Sequence, residues 1–207
     1  MIHIVDYGLG NVQAFVNMYK RLGIDAVTAN RAEDLGNVTH LILPGVGSFD
    51  YAMSLLSSSG MRNRLEELVL VEKTPVLGIC VGMQILAERS DEGLSEGLGW
   101  IKGSVRDFSM AEKSSVLPLP HMGWNDVTPA ADQPLFVGIE NDARFYFLHS
   151  YYFDAASQHN VIAKAQYGVT FDCAINDNNV FGVQFHPEKS HNWGAALLKN
   201  FAELELC

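Results

Sequence analysis

Two short apolar segments, each followed by a glycine-containing turn, most restrict the folds open to this chain. Residues 40–43 (HLIL) lead into PGVG at 44–47, and residues 75–79 (PVLGI) lead into CVG at 80–82. Unbroken apolar runs of this length are typical of parallel strands buried on both faces. Further strands are predicted at 2–5 and 25–28, and helical spacing of apolar residues predicts helices at 11–22, 51–58, 61–71 and 82–88. This alternation predicts an α/β fold with a mostly parallel central sheet flanked by helices.

The C-terminal half has a different pattern. It contains four segments that are typical of antiparallel or edge strands, at 145–148, 161–166, 170–175 and 180–185. The sequence NDNN at 176–179 predicts a hairpin turn between the last two. A final helix is predicted at 193–206, and a mobile surface loop at 110–120. Because the sequence contains no repeat, low-complexity tract or linker, we expect a single domain over residues 1–207.

Composition excludes several classes of protein. The formal net charge of −10 argues against nucleic acid or an anionic membrane surface as the main partner. We expect neither a secretory signal nor a membrane span, since the first residues lack a basic and a long apolar region and no apolar run reaches ~18 residues. The three cysteines form no CxxC pair, which predicts a cytoplasmic protein without disulfides or a metal site. Gln13 replaces the third glycine of a dinucleotide fingerprint, and no cofactor is predicted.

The segment GICVG at 78–82 is a candidate nucleophile elbow. A strand that turns sharply into a helix on small residues would present Cys80 at the helix N-terminus, where backbone amides favour a thiolate. The alternative is that Cys80 is a small core residue beside packing glycines, and this segment alone does not decide between them. Cys173 and Cys207 lack such a turn, and we expect both to be structural.

The sequence His186-Pro187-Glu188 provides a candidate base with its orienting carboxylate. In an extended chain His186 and Glu188 lie on one face, and Pro187 favours that course. A carboxylate on one ring nitrogen leaves the other free to meet a thiol. The remaining histidines lack such a neighbour, and most of them are expected to be structural. They are His3, His40, His121, His149, His159 and His191.

The turn at Gly45, Val46 and Gly47 is a candidate oxyanion site, because glycines expose backbone amides. Taken alone, the turn is better explained as a plain β–α connection. Together with the thiol and the histidine pair, it completes the parts that acyl transfer through a thioester requires.

Several motifs of this chain resemble those of a known family. The motifs PGVGSF, GICVGMQ and GVQFHPEKS are similar to those of the triad-type (class I) glutamine amidotransferases. The motifs DYGLGN, DEGLSEGLGWIKGSV, PHMGWNDV and FYFLHSYY resemble the HisH-type glutaminase subunits of imidazole glycerol phosphate synthases. The resemblance extends over residues 2–201.

The resemblance implies a role for each matching position. Cys80 would attack the side-chain amide of L-glutamine, His186 would serve as general base and acid, and Glu188 would orient it. Glutamate and ammonia would form through a γ-glutamyl thioester. The implied backbone oxyanion groups belong to Gly45, Val46, Gly47 and Val81. The positions implied to line the glutamine pocket are Gln84, Glu92, His149, Ser150 and Tyr151.

A glutaminase of this length leaves almost no residues for a synthetase domain, so a separate chain should accept the ammonia. In the resembled family that partner is a (β/α)8 barrel cyclase (HisF-type), which forms a heterodimer with the glutaminase and converts PRFAR to imidazole glycerol phosphate and AICAR. Asn11, Trp124, Tyr146 and Lys189 match positions at or near that interface. The resemblance also implies low activity until the ligand of the partner binds, with the oxyanion loop as the switch.

Three alternatives remain open from the sequence. A paralogous subunit would supply ammonia to a sugar amidotransferase of surface-polysaccharide synthesis, using the same glutamine chemistry. A catalytically silent regulatory subunit could share the fold, although the intact Cys80, His186 and Glu188 argue against it. A γ-glutamyl peptidase would work alone on larger substrates, and the PHMGW segment would then have no purpose.

Overall fold

The computed structural model describes residues 1–110 and 117–205. In this part of the chain twelve strands belong to one sheet. They are β1 Ile2–Val5, β2 Ala26–Ala29, β3 His40–Gly45, β4 Val76–Cys80, β5 Arg89–Ser90, β6 Gly103–Asp107, β7 His121–Pro129, β8 Arg144–His149, β9 Tyr151–Ala155, β10 Val161–Tyr167, β11 Val169–Asp177 and β12 Val180–Val183.

The sheet has a parallel and an antiparallel half, as the sequence predicts. Its order is β2-β1-β3-β4-β12-β11-β10-β7-β8, and neighbours are parallel from β2 to β12. The pairs from β12 to β8 are antiparallel, and β9 connects β11 to a side branch formed by β6 and β5. Every residue of β3 and β4 is buried, in agreement with their unbroken apolar sequences.

The helices are α1 Val12–Leu22, α2 Phe49–Ser58, α3 Arg62–Glu66, α4 Val81–Gln84 and α5 His191–Ala202. A π-helical turn, Glu67–Val71, continues α3 over the rest of the predicted helix 61–71. The last helix, α5, both begins and ends earlier in the chain than the predicted helix at 193–206. Residue 206 lies outside the described residues.

The helix predicted at 82–88 is wrong in length, because α4 is a single turn. The carbonyl groups of residues 85–88 accept hydrogen bonds from the amides of residues 97–101 in the following loop. The amides of Leu86 and Ala87 bond only three residues back, and the amide of Glu88 donates to the carbonyl of Gly103, so the α-helical bonding pattern does not continue to residue 88. A helix this short contributes little macrodipole, which removes part of the reason for expecting a thiolate at its N-terminus.

Strands β5, β6, β7 and β9 were not predicted. In β7 the side chains are mixed in polarity and most are partly or fully exposed, so the alternation of a half-buried strand is hard to detect. The predicted hairpin at 176–179 is confirmed, with Asp177 opposite Val180. The predicted mobile loop at 110–120 lies largely outside the described residues.

The topology places three segments at one edge of the sheet. Gly45 at the end of β3 lies opposite Cys80 at the end of β4, and β12 runs parallel to β4 directly before His186. The carboxyl edge of a parallel sheet is where α/β proteins bind ligands. One hydrophobic core joins the parallel and antiparallel halves, and we propose on this basis that residues 1–207 form one domain. None of the helices in the described ranges has the length and apolar character needed to cross a bilayer.

Candidate active site

Cys80 occupies a sharp turn between β4 and α4. Its φ of 57° and ψ of −114° are unusual for a residue with a side chain, and only 4% of its surface is exposed. The turn is closely packed, since a Cβ atom on Gly82 would overlap the carbonyl of Leu43, and one on Gly78 would lie 2.5 Å from the carbonyl of Gly82. The predicted elbow geometry is therefore present, and close packing around the turn holds the strained Cys80 backbone at the sheet edge.

The predicted pairing of His186 and Glu188 is present, although its geometry differs from the prediction. Nδ1 of His186 lies 2.9 Å from Oε1 of Glu188, and the two side chains are 5% and 4% exposed. The chain does not stay extended, because Pro187–Lys189 form a 3₁₀ turn. Pro187 occupies the first position of that turn, where a missing N–H costs nothing. The turn, rather than an extended strand, brings the carboxylate back to the ring.

Two neighbours control the protonation of His186. Burial, the largest single influence, lowers its pKa, but hydrogen bonding and charge from Cys80 and Glu188 outweigh burial and raise the pKa to about 10. Nε2 of His186 is buried and has no hydrogen-bond partner among the described residues, although Cys80 is near enough to raise the pKa of the ring. Catalytic hydrogen bonds often align only when substrate binds. The arrangement favours the protonated, imidazolium form of His186 beside Cys80.

Replacing Glu188 with glutamine should make His186 easier to deprotonate. The carboxylate raises the pKa of His186, so its removal should lower that pKa below its value in the unmodified protein, with Cys80 as the neighbour that still opposes burial. An NMR titration of the imidazole should show loss of the proton well below pH 10, and kcat should fall by roughly 10³-fold. Glu203→Gln, at an exposed carboxylate, is the control. An unchanged titration midpoint in Glu188→Gln would contradict this assignment.

A cavity of about 290 Å³ opens at the sheet edge beside Cys80. Its lining combines most of the predicted catalytic and glutamine-pocket residues with Pro120, Leu148 and Lys189. The predicted residues in the lining are Val46, Gly47, Cys80, Val81, Gln84, Glu92, His149, Ser150, Tyr151 and His186. Glu188 lies behind His186, and Gly45 lies in β3, so neither lines the cavity.

The segment after β3 exposes backbone donors toward this cavity. Gly47 adopts a φ of 90°, and Val46 is 42% exposed. Within the described ranges the amides of Val46 and Gly47 donate no hydrogen bond, and Val81 begins α4, where helical amides lack partners. These three amides are available to an anion beside Cys80.

The far wall of the cavity is fixed by carboxylates. Glu92 accepts a hydrogen bond from the amide of Phe49 at 2.7 Å, and Asp50 accepts from the amides of Leu94 and Ser95 at 3.0 Å each. Burial raises the pKa of Glu92, and the charges of Asp50 and Asp107 raise it further. The loop that carries Glu92 is thereby tied to the start of α2.

Gln184 is a polar residue of this site that the sequence analysis did not single out. Its side chain is fully buried, with Nε2 3.8 Å from the Cys80 sulfur and Oε1 3.0 Å from Nε2 of Gln84. A single glutamine inside the apolar run 180–185 was the available signal, because a buried polar side chain requires partners.

Three of the four predicted interface residues meet in an aromatic cluster. Trp124 contacts the ring of Tyr146 edge-on at 6.3 Å, and Lys189 lies 5.8 Å from the centre of that ring. His191 stacks on Trp124 at 5.4 Å and Trp193 contacts it at 6.1 Å, two neighbours that were not predicted. Asn11 is exposed at the start of α1, where its side chain accepts from the amide of Ala14.

The other cysteines and possible metal ligands do not form a second site. Cys173 is buried, and burial raises the pKa of its thiol well above the usual value, which keeps it inert. Cys207 lies outside the described residues. Across residues 1–110 and 117–205, no three or more His, Cys, Asp or Glu side chains are grouped so as to hold a metal ion.

Comparison with known proteins gives consistent results. The family Glutamine amidotransferase class-I matches residues 3–204. The imidazole glycerol phosphate synthase subunit HisH of Bdellovibrio bacteriovorus is 57% identical over 99% of this chain and 100% of its own, and that of Leptospira interrogans is 52% identical over the same shares. A crystal structure of a glutamine amidotransferase superimposes with a TM-score of 0.74 at 20% identity, covering 98% of this chain and 97% of its own.

Proposed function

This chain belongs to the class I glutamine amidotransferase family, and we propose that it is the glutaminase subunit of an imidazole glycerol phosphate synthase in histidine biosynthesis. The observation that carries the proposal is the meeting of Cys80, the His186–Glu188 pair and free backbone amides around one cavity. Relatives named HisH align over nearly their whole length. Its substrate is L-glutamine, and it acts in the cytoplasm, where a thiol nucleophile stays reduced.

We infer the following course of reaction. The Cys80 thiolate attacks the side-chain carbonyl carbon of glutamine, and the amides of Val46, Gly47 and Val81 stabilise the oxyanion. His186 donates its Nε2 proton to the nitrogen as the C–N bond breaks, which releases ammonia and leaves a thioester. The neutral imidazole then takes a proton from water, and the resulting hydroxide displaces Cys80 as glutamate forms. Glu188 keeps Nδ1 protonated throughout.

Two acceptors in the cavity match the α-ammonium group of glutamine. Both N–H groups of Gln84 are used, on Tyr151 and Gln184, so its Oε1 is the atom available to a ligand in the cavity. The carboxylate of Glu92 supplies negative charge in the same cavity. We propose that these groups hold the amino end of the substrate, with backbone groups of residues 149–151 completing the pocket.

The aromatic cluster formed by Trp124, Tyr146, Lys189, His191 and Trp193 is the proposed contact for the (β/α)8 barrel cyclase. Trp124 is 38% exposed in a chain without its partner, and exposed tryptophans commonly carry binding energy at interfaces. Asn11 is proposed as an additional contact. Binding there would place the cyclase next to the cavity, since Lys189 also lines it, so that ammonia need not cross bulk water.

Replacing Trp124 with alanine should weaken binding of the cyclase by about 2 kcal/mol, or roughly 30-fold in Kd. Isothermal titration of the two subunits measures this. Val71→Ala is the control, because Val71 is 74% exposed and precedes the amino end of β4, at the opposite edge of the sheet. If both variants bound the cyclase with equal affinity, the aromatic cluster would not be part of the interface.

Glutamate release from glutamine by this chain, with and without the cyclase and PRFAR, tests the proposed function. Release should be slow for the isolated chain and strongly stimulated only when both partner and PRFAR are present. Rapid hydrolysis without a partner would contradict the assignment and indicate an independent hydrolase. Stimulation by a surface-sugar amidotransferase, with none by the cyclase, would assign the chain to the paralogous pathway.

A further inference from the structure

The orientation of the buried Gln84 amide is fixed by its partners. Nε2 of Gln84 lies 3.1 Å from the carbonyl oxygen of Tyr151 and 3.0 Å from Oε1 of Gln184. A backbone carbonyl only accepts hydrogen bonds, so the Gln84 atom that faces it must be the amide nitrogen. Both hydrogens of that nitrogen are then committed, one to Tyr151 and one to Gln184.

This commitment also determines which atom Gln184 presents to the nucleophile. Because Gln184 must offer its oxygen to Gln84, its amide nitrogen faces Cys80, 3.8 Å from the sulfur. Gln184 is 0% exposed, so bulk solvent does not reach this nitrogen. In the thiol form, Cys80 can donate to the carbonyl of Leu148 at 3.9 Å instead.

A second series of hydrogen bonds ends at the same carbonyl oxygen of Tyr151. Nδ1 of His149 lies 2.8 Å from the oxygen of Tyr151, so this nitrogen carries the hydrogen and Nε2 accepts. Nδ1 of His121 donates to that Nε2 at 2.9 Å, and the amide nitrogen of Asn125 donates to Nε2 of His121 at 3.3 Å. The direction of every bond follows from its neighbour.

Both histidines in this series are uncharged at neutral pH. Burial lowers the pKa of His121 to about 4, and burial above all lowers the pKa of His149 to about 3. Each ring therefore donates through one nitrogen and accepts through the other, as the series requires. Asn125 is held in turn by the carbonyl of Gln166 at 2.9 Å.

We propose that Gln184 stabilises the Cys80 thiolate through its amide N–H, and that the hydrogen-bonded series Asn125–His121–His149–Tyr151–Gln84 positions it. This inference rests on the proposed function and adds a residue to its machinery. The thiolate would then have two donors, the imidazolium of His186 and the amide of Gln184, before substrate enters. Among the described residues, Tyr7 is a further titratable group beside Cys80. Burial, and then the charge of Cys80, raise the pKa of its hydroxyl, which donates to the carbonyl of Pro44.

The rate of alkylation of Cys80 by iodoacetamide as a function of pH tests the proposal. In Gln184→Met, which keeps the volume and loses the donor, the half-maximal pH should rise by about one unit. Gln184→Glu keeps the acceptor for Gln84 but turns a carboxylate oxygen to the sulfur, so it should shift the midpoint further. The rate measured in Cys80→Ala is subtracted as the blank. An unchanged midpoint in both variants would overturn the proposal.

A control separates this effect from loss of stability. Asn179 is also a buried amide with two hydrogen bonds, to the carbonyls of Val69 and Thr74, at the amino end of β12 and away from Cys80. Asn179→Leu should lower the melting temperature without moving the alkylation midpoint. A shift as large as that of Gln184→Met would contradict a specific role for Gln184.

The positioning series is tested at its distant end by His121→Phe. His121 stacks on Phe147 and Tyr167, so phenylalanine should fit while the donor to His149 is lost. We expect a smaller rise of the midpoint, in the same direction, and an unchanged midpoint would remove the series from the proposal. Because alkylation needs neither glutamine nor the cyclase, these outcomes do not depend on whether the proposed function is correct.

Discussion

Replacing Cys80 with alanine is expected to reduce glutamine hydrolysis by 10⁴-fold or more, because no thioester can form without the sulfur. The loss should appear in kcat, since the acceptors Gln84 and Glu92 that we propose for the substrate remain in place. Glutamate release in the presence of cyclase and PRFAR measures it. Circular dichroism and binding of the cyclase should be unchanged.

Cys173→Ala provides the matched control for this loss. Cys173 is a buried free thiol in β11, and its removal should cost about 1 kcal/mol of stability and no activity. If Cys80→Ala still hydrolysed glutamine while Cys173→Ala did not, the nucleophile would be assigned to the wrong residue.

Replacing Gly82 with alanine is the second change for which we expect a large effect. The added methyl group would overlap the carbonyl of Leu43 in β3, and its nearest neighbours are all backbone atoms of β3, which cannot turn away as a flexible side chain could. We expect a loss of more than about 3 kcal/mol in the free energy of unfolding. The displaced elbow would also move Cys80 from the amides of Val46 and Gly47, so the folded fraction should be inactive.

Gly36→Ala shows whether this effect is specific to the elbow. A Cβ atom on Gly36 would meet nothing within 4 Å, and its φ is not in the left-handed region. Denaturant unfolding of this variant should give a midpoint close to that of the unmodified chain. A stable, active Gly82→Ala protein would show that the close packing of β3 against the elbow is not required.

The parallel half of the sheet was predictable from sequence because its strands are buried on both faces. Every residue of β3 and β4 is buried, so both strands are made almost entirely of apolar or small residues. Strand β7 instead pairs with β8 and β10 through backbone groups while most of its side chains reach solvent. Its sequence HMGWNDVTP therefore carries little of the period that identifies a strand.

The candidate site divides in a similar way. The Cys80 turn and the His186–Glu188 pair are local, so their residues stand side by side in the sequence. The role of Gln184 depends on Gln84, 100 residues earlier in the chain, and that of His149 on His121 in a strand that was not predicted. Contacts of this kind, between segments far apart in the chain, produce no characteristic residue spacing in the sequence. The length of α4 was mispredicted for the same reason, since residues 85–88 bond to the later segments around 97–103 instead of continuing the helix.

We propose that ammonia formed at Cys80 passes to the cyclase without entering bulk solvent, and isotope transfer can detect this. The complex would receive glutamine labelled with ¹⁵N in the side-chain amide, PRFAR, and an excess of unlabelled ammonium chloride. We predict that the nitrogen incorporated into the cyclase products carries the label, in a one-to-one ratio with released glutamate. Products that carry the unlabelled nitrogen, with labelled ammonium accumulating in solution, would rule out direct transfer.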